Sequence, residues 1–351
     1  MSRRPRVILI LLLLAGAGIA VTLIVRRPEG FVPEVFVLDK TLSVGLEQRP
    51  VQAAFIPGKD SVLYGAPWTP ITIFDVATGA KREPLSDPSF GKFALSADGT
   101  SAAILMPGPG PATTELRIVD LASGKVRKTI PDRRGSSCWT WSPDGRRIVF
   151  AVTWMLFMVD LERGETQNLP IIANHSDRVN SLAFSPDGRL LGIGTDDGEV
   201  SLWRTDSWTM VQKFDLGSGP DPRTGPNRMG HVVFNRDGTL FAAGGGACYG
   251  TLDGSPGIYS GALRVWRTSD RSLIVSMNPG MAVVSISFSP DGAALAYSTW
   301  RQVQVVDLVT GKEICQMQGP TGRSPTVEFG RDGSLMTLDE RDGLRIWKRA
   351  P

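Results

Sequence analysis

The chain has 351 residues, 42% hydrophobic and 21% charged, with a formal net charge of only +3. That balance excludes an intrinsically disordered chain, which needs low hydrophobicity and high net charge. Glycine (39) and proline (25) are in such surplus that a bundle of long helices is excluded as well.

The charge is uneven. Residues 1–30 hold five of the basic side chains (Arg3, Arg4, Arg6, Arg26, Arg27) against one acid, Glu29, so the rest of the chain carries 33 basic and 34 acidic residues. A body so close to neutral lacks the basic field that nonspecific nucleic-acid binding requires. Between the arginines, residues 7–25 read VILILLLLAGAGIAVTLIV, with no charge. Nineteen residues at about 1.5 Å rise make roughly 28 Å of helix, close to the ~30 Å hydrocarbon core. The run exceeds the 7–15 residues usual for a cleavable signal peptide. We therefore expect a basic flank at 1–6, an uncleaved signal-anchor helix in the bilayer at 7–25 and a linker at 26–34. The larger arginine count on the N-terminal flank predicts a cytoplasmic N-terminus and an extracytoplasmic body. Three cysteines far apart, Cys138, Cys248 and Cys315, define no disulfide framework.

From residue 35 to 351 the chain is repetitive. After an orphan extended run at 35–44 and a degenerate copy at 53–60 (AAFIPGKD), a short apolar strand ending in Asp-Gly recurs six times: 93–99, 139–145, 182–188, 232–238, 286–292 and 327–333. Consecutive glycines lie 46, 43, 50, 54 and 41 residues apart. That is the period of a four-stranded propeller blade. Each copy is followed by an alternating strand, from ITIFDVATG at 71–79 to LRIWKRAP at the end of the sequence. Ser-Pro-Asp-Gly suits a type I turn, and the later Thr-Gly and Ser-Gly pairs close a second hairpin. Seven units of this kind predict an all-β, seven-bladed propeller of four-stranded antiparallel blades. The last unit lacks a strand, which the run at 35–46 is expected to supply. Such closure removes a free edge and holds the disc near the bilayer.

These units resemble WD repeats of a degenerate, bacterial type. The best copy is HSDRVNSLAFSPDGRLLGIGTDDGEVSLW, His175–Trp203. The resemblance implies a hydrogen-bonded tetrad of His175, Thr195, Asp197 and Trp203. Other units lack the histidine or replace the tryptophan, as at Phe74, Val119, Val159 and Val306.

Catalytic signatures are absent: no H-E-x-x-H, paired C-x-x-C, P-loop or G-x-S-x-G occurs. No cofactor and no metal are expected, and His231 reads as a residue leading into a blade, with a ligand contact as the alternative. Loops between second and third strands, and those leading into first strands, share one face. We expect Trp68, Arg133, Arg134, Trp154, Arg223, Arg228, Tyr249, Asp253, Tyr259, Trp300 and Arg323 there, with 244–261 as its longest insertion. Aromatic and arginine side chains are those most enriched at binding hot spots. The sequence thus predicts a membrane-anchored, non-enzymatic scaffold for a protein or peptide partner. The alternatives are a ligand-binding or enzymatic propeller of lactonase or quinoprotein kind, working through the loop face or central channel, and a structural module of a larger envelope assembly.

Overall fold

The computed structural model describes residues 36–42, 52–110, 113–132, 138–172, 178–216, 228–249, 258–299, 302–317, 326–339 and 343–349. The apolar run at 7–25 lies outside them. Among the described residues no helix is long and apolar enough to cross a membrane.

Seven four-stranded antiparallel sheets follow one another around the molecule. In blades 1 to 6 the strands are ordered as they occur in the chain. The innermost strands, one per blade, are Gln52–Phe55, Phe93–Leu95, Cys138–Trp141, Val179–Phe184, Arg228–Phe234, Val283–Phe288 and Thr326–Phe329. Blade 7 takes its outermost strand, Phe36–Leu42, from the other end of the chain; it runs antiparallel to Gly343–Arg349, from Phe36 opposite Arg349 to Leu42 opposite Leu344.

Alternation in the strands puts apolar side chains on both faces of each blade, and the core accordingly lies between blades. There are seven core clusters, one for each joint. The cluster joining blades 4 and 5 contains Val200, Leu202, Phe214, Phe241 and Trp266.

The turn joining first and second strands is built the same way in most blades. In blade 2, Ser96 Oγ donates to Asp98 Oδ1 at 2.6 Å and accepts the Ser101 N–H at 3.0 Å. Ser142, Ser185 and Ser289 repeat the pattern with Asp144, Asp187 and Asp291. The glycine after each aspartate adopts the left-handed conformation, as at Gly99 (φ 66) and Gly188 (φ 71), which explains the Asp-Gly periodicity. Hydrogen bonding from Ser96 holds the Asp98 carboxyl below its ordinary range despite partial burial, and Ser185 does the same for Asp187.

At the outside of the ring, a cation reaches from one blade to the carbonyls of the next. Lys40 Nζ donates to Val76 O at 2.7 Å, Arg82 to Leu121 O at 2.6 Å and Lys128 to Leu161 O at 3.1 Å.

One expectation is corrected. Residues 244–261 are not simply an inserted loop: the second and third strands of blade 5, Leu240–Tyr249 and Ile258–Arg267, pair through ten registered positions. Their glycines serve close packing. A Cβ on Gly244 would lie 2.6 Å from Val283 Cγ1, and one on Gly261 would lie 1.8 Å from Met281 O.

Candidate functional site

Antiparallel order places two features at opposite ends of each blade. The Asp-Gly turns and the turns between third and fourth strands form one face, here the turn face. Loops between second and third strands, and those leading into the next blade, form the loop face.

On the loop face Trp68 stands out. It is 65% exposed although its backbone is in the left-handed region (φ 62), a conformation uncommon for a bulky residue. The loop is pinned to the segment leading into blade 2. Trp68 N–H donates to Ser89 O at 2.7 Å, Ser89 N–H donates to Thr69 O at 2.9 Å, and the indole packs edge-on against Phe90 with centroids 5.0 Å apart. Ser89, fully buried, also donates its hydroxyl to Thr69 O and accepts the Gly91 N–H. A Cβ on Gly65 would lie 2.2 Å from Gly91 O, so these loops meet only because both positions are glycine. Beside them Arg117 bridges Asp87 (2.5 Å) and Glu115 (2.6 Å). The structure therefore presents Trp68 on a rigid mount.

Of the other residues expected on this face, Trp154 is half-buried in the turn between second and third strands of blade 3. Arg228, Tyr249 and Tyr259 have backbones at the loop-face ends of blade 5 strands, but their side chains are outside the described residues. Arg133, Arg134, Arg223, Asp253, Trp300 and Arg323 also lie outside them.

The centre of the ring encloses a cavity of about 1170 Å³, lined by the innermost strands of blades 1, 5, 6 and 7 and by Lys59, Arg236 and Arg331 from the turn face. Polar side chains of the innermost strands, some of them lining this cavity, bind neighbouring blades. Gln52 exchanges two hydrogen bonds with the Phe93 backbone, at 2.9 and 3.0 Å. Trp141 Nε1 donates to Ala94 O, Cys138 Sγ to Val179 O, and Ser181 Oγ accepts the Val232 N–H. His231 Nδ1 accepts Ile286 N–H at 3.2 Å, Ser285 and Ser287 bond Val327 and Phe329, and Glu328 Oε2 accepts Phe55 N–H at 3.0 Å. Each of the seven joints thus has at least one side-chain-to-backbone bond between innermost strands.

Two of these joints titrate. Burial pushes the His231 imidazole down to about 4 and the Glu328 carboxyl up to about 8. His231 must stay neutral to accept from Ile286 through its ring lone pair. An unfolded histidine takes a proton near pH 6.5, which the folded one refuses. Unfolding therefore takes up a proton as pH falls from about 6.5 towards 4, and stability drops over that interval. Replacing His231 with asparagine should flatten the loss of melting temperature between pH 6.5 and 4. An unchanged acid slope would remove His231 from that role. Among the described residues, no three His, Cys, Asp or Glu side chains converge as a metal site requires.

Blade 4 carries the WD-like pattern. Thr195 Oγ1 donates to Asp197 Oδ1 at 2.5 Å, and Asp197 accepts the Glu199 N–H at 3.1 Å. The sequence description "WD domain, G-beta repeat" matches residues 167–204. The chain is a seven-bladed β-propeller whose blade 4 is similar to a WD repeat.

The tetrad expected in this blade differs from expectation in one link. Trp203 Nε1 donates to Ser201 Oγ at 3.0 Å, not to Thr195. The physical reason is register: Ser201 lies opposite Ile193, so the neighbouring strand offers no hydroxyl there. His175 lies outside the described residues. In blade 7, by contrast, Trp347 Nε1 donates across strands to Thr337 Oγ1 at 2.9 Å, a link not anticipated from sequence. Its signal was a threonine two residues after the cross-strand partner of the tryptophan, Leu335.

Transducin beta-like protein 3 of Rattus norvegicus is 26% identical over 261 residues, 68% of this chain and 29% of its own length. Periodic tryptophan protein 2 homolog of Dictyostelium discoideum is 26% identical over 201 residues, 48% of this chain and 21% of its own. The chain spans less than a third of either relative. Both are eukaryotic, which does not support the bacterial-type assignment of the repeats. Among solved structures, the Cps50 (Swd1) β-propeller domain of Myceliophteria thermophila superposes with a TM-score of 0.70 at 14% identity, over 90% of this chain and all of that one. This likeness concerns the fold.

Proposed function

We propose that this WD-repeat propeller is a membrane-tethered, non-enzymatic scaffold that binds a protein or peptide on its loop face. The supporting observation is Trp68, a large aromatic side chain held exposed by two loops locked to each other. A rigid aromatic residue loses little entropy on binding, and tryptophan is enriched among the few residues that dominate interfaces. The likeness of residues 167–204 to a WD repeat supports a binding role over a catalytic one. The innermost strands support it too, because Gln52, His231, Ser285, Ser287 and Glu328 are engaged in joining blades. The tether is the apolar run at 7–25, with the propeller on the extracytoplasmic side.

The test is quantitative crosslinking of the full chain in its membrane, comparing Trp68→Ala with the unaltered protein. A partner held by a hot spot worth ~2 kcal/mol should fall roughly 30-fold in affinity. Recovery of every partner at undiminished yield would remove Trp68 from the interface. Reporter fusions at the C-terminus, active on one side of the membrane only, test the orientation; a cytoplasmic signal would reverse it.

A further inference from the structure

Among the described residues, six large apolar side chains are exposed: Trp68 on the loop face, and Val37, Leu38, Met210, Leu273 and Val309. The last five share a position. Met210 and Leu273 open the outermost strands of blades 4 and 5, opposite Trp203 and Trp266 at the turn end. Val309 lies in the turn between third and fourth strands of blade 6 and is 68% exposed. Val37 and Leu38 open the outermost strand of blade 7, opposite Lys348 and Trp347. Segments up to 272 residues apart in sequence, Val37 to Val309, are thus gathered by the ring onto one sector of the turn face. Four consecutive blades carry the sector.

The path of the chain bears on what covers it. The outermost strand of blade 7 begins with Phe36 beside Arg349, so the polypeptide enters the propeller at the turn face of this same sector. Ten residues, 26–35, separate that point from the apolar run at 7–25. At ~3.5 Å per residue they span roughly 35 Å at most. A tether at this point holds the turn face towards the bilayer and directs the loop face, with Trp68, away from it.

We propose that the turn-face sector of blades 4 to 7 rests on the membrane surface, with Met210, Leu273, Val309, Val37 and Leu38 seated among the lipid headgroups. This deepens the tethered-scaffold reading and rests on it. Isolated exposed apolar residues are ordinary, but an apolar sector directed at a membrane has a matching partner in the headgroup–acyl boundary. Arg271 and Lys312, both exposed, stand in the same turns, within reach of lipid phosphates. Asp206, Asp270 and Glu313 share the rim, so the contact is carried mainly by the apolar side chains.

The experiment uses the full chain reconstituted in phosphatidylcholine–phosphatidylglycerol vesicles, with the photoreactive residue p-benzoylphenylalanine replacing Leu273, Val309 or Trp68 in turn. These positions are exposed, so the substitutions leave the core intact. After irradiation, mass spectrometry counts phospholipid adducts, and carbonate extraction of the same sample reports anchoring. Side chains seated ~5–10 Å into the headgroup boundary should give at least about tenfold more adduct at 273 and 309 than at 68. Anchored protein with equal or negligible adducts at all three positions overturns the proposal and leaves the sector to a protein partner. Adducts at 273 and 309 in protein that carbonate extracts would uphold the lipid contact and sink the anchor. Extracted protein without adducts would sink both.

Discussion

Truncating Phe241 to alanine should destabilise the propeller by about 3–5 kcal/mol, the range for a large aromatic removed from a packed core. Phe241 is fully buried in the second strand of blade 5, with Phe234 at 4.8 Å, Trp266 at 6.0 Å and Phe214 at 6.3 Å between ring centroids. Its edge also occupies space that a side chain of blade 4 would otherwise fill: a Cβ on Gly192 would lie 2.6 Å from Phe241 Cε2. The ring is therefore the wedge between two blades, and the paired strands on either side limit how far they can collapse into the space left. Urea unfolding followed by tryptophan fluorescence measures the effect. The midpoint should fall with the denaturant slope unchanged. A loss below about 1 kcal/mol would mean that the blades slide together and heal the gap.

The second large effect is alkaline and centres on Glu328. Its folded carboxyl, raised by burial to about 8, keeps its proton where an unfolded glutamate near 4.3 has lost it. Between those values unfolding releases a proton, so stability falls as pH rises. The contribution is fully present below the unfolded value and lost above about 8. While the folded state holds that one extra proton, a rise of one in pH costs about 1.4 kcal/mol. Between pH 7 and 9 the melting temperature should therefore drop by roughly 3–5 °C. Glu328→Gln keeps an acceptor for the Phe55 N–H without the charge, and should remove most of that drop. A slope that persists in the glutamine variant would place its origin elsewhere. Glu328 sits at the joint between blades 7 and 1, where it accepts the Phe55 N–H.

The blades were legible because their turns are chemically demanding. A left-handed backbone after the aspartate selects glycine, and the serine hydroxyl that organises the turn selects Ser two residues before Asp; the glycine recurs in blades 2 to 7 and the serine in blades 2, 3, 4 and 6. The run at 35–44 reads as an outer strand from its alternation, and Phe36–Leu42 occupies that place. The joints were not legible. Gln52, Cys138, Ser181, His231 and Glu328 do one job with five different side chains, so no period marks them. His231 reads as leading into blade 5, and what it does there became visible only beside Ile286. Glycines misled where they serve contact instead of turning: Gly244 and Gly261 are strand residues pressed against blade 6. Trp68 was legible as a loop aromatic, but not the lock of Ser89 against Thr69 that presents it. The exposed sector on the turn face was invisible to sequence, since only the ring brings Leu38 and Met210 to one side.

Closure of blade 7 by Phe36–Leu42 also sets a timetable. This strand leaves the ribosome roughly 300 residues ahead of its partner, Gly343–Arg349. At ~5–20 residues per second, synthesis leaves the first strand without its partner for roughly 15–60 s. Throughout that time its hydrogen-bonding edge is open to other chains, and six blades can assemble before the circle shuts. Nascent chains stalled just before residue 343 should therefore be the most aggregation-prone of a stalled series, and those stalled well beyond the last strand should be protected.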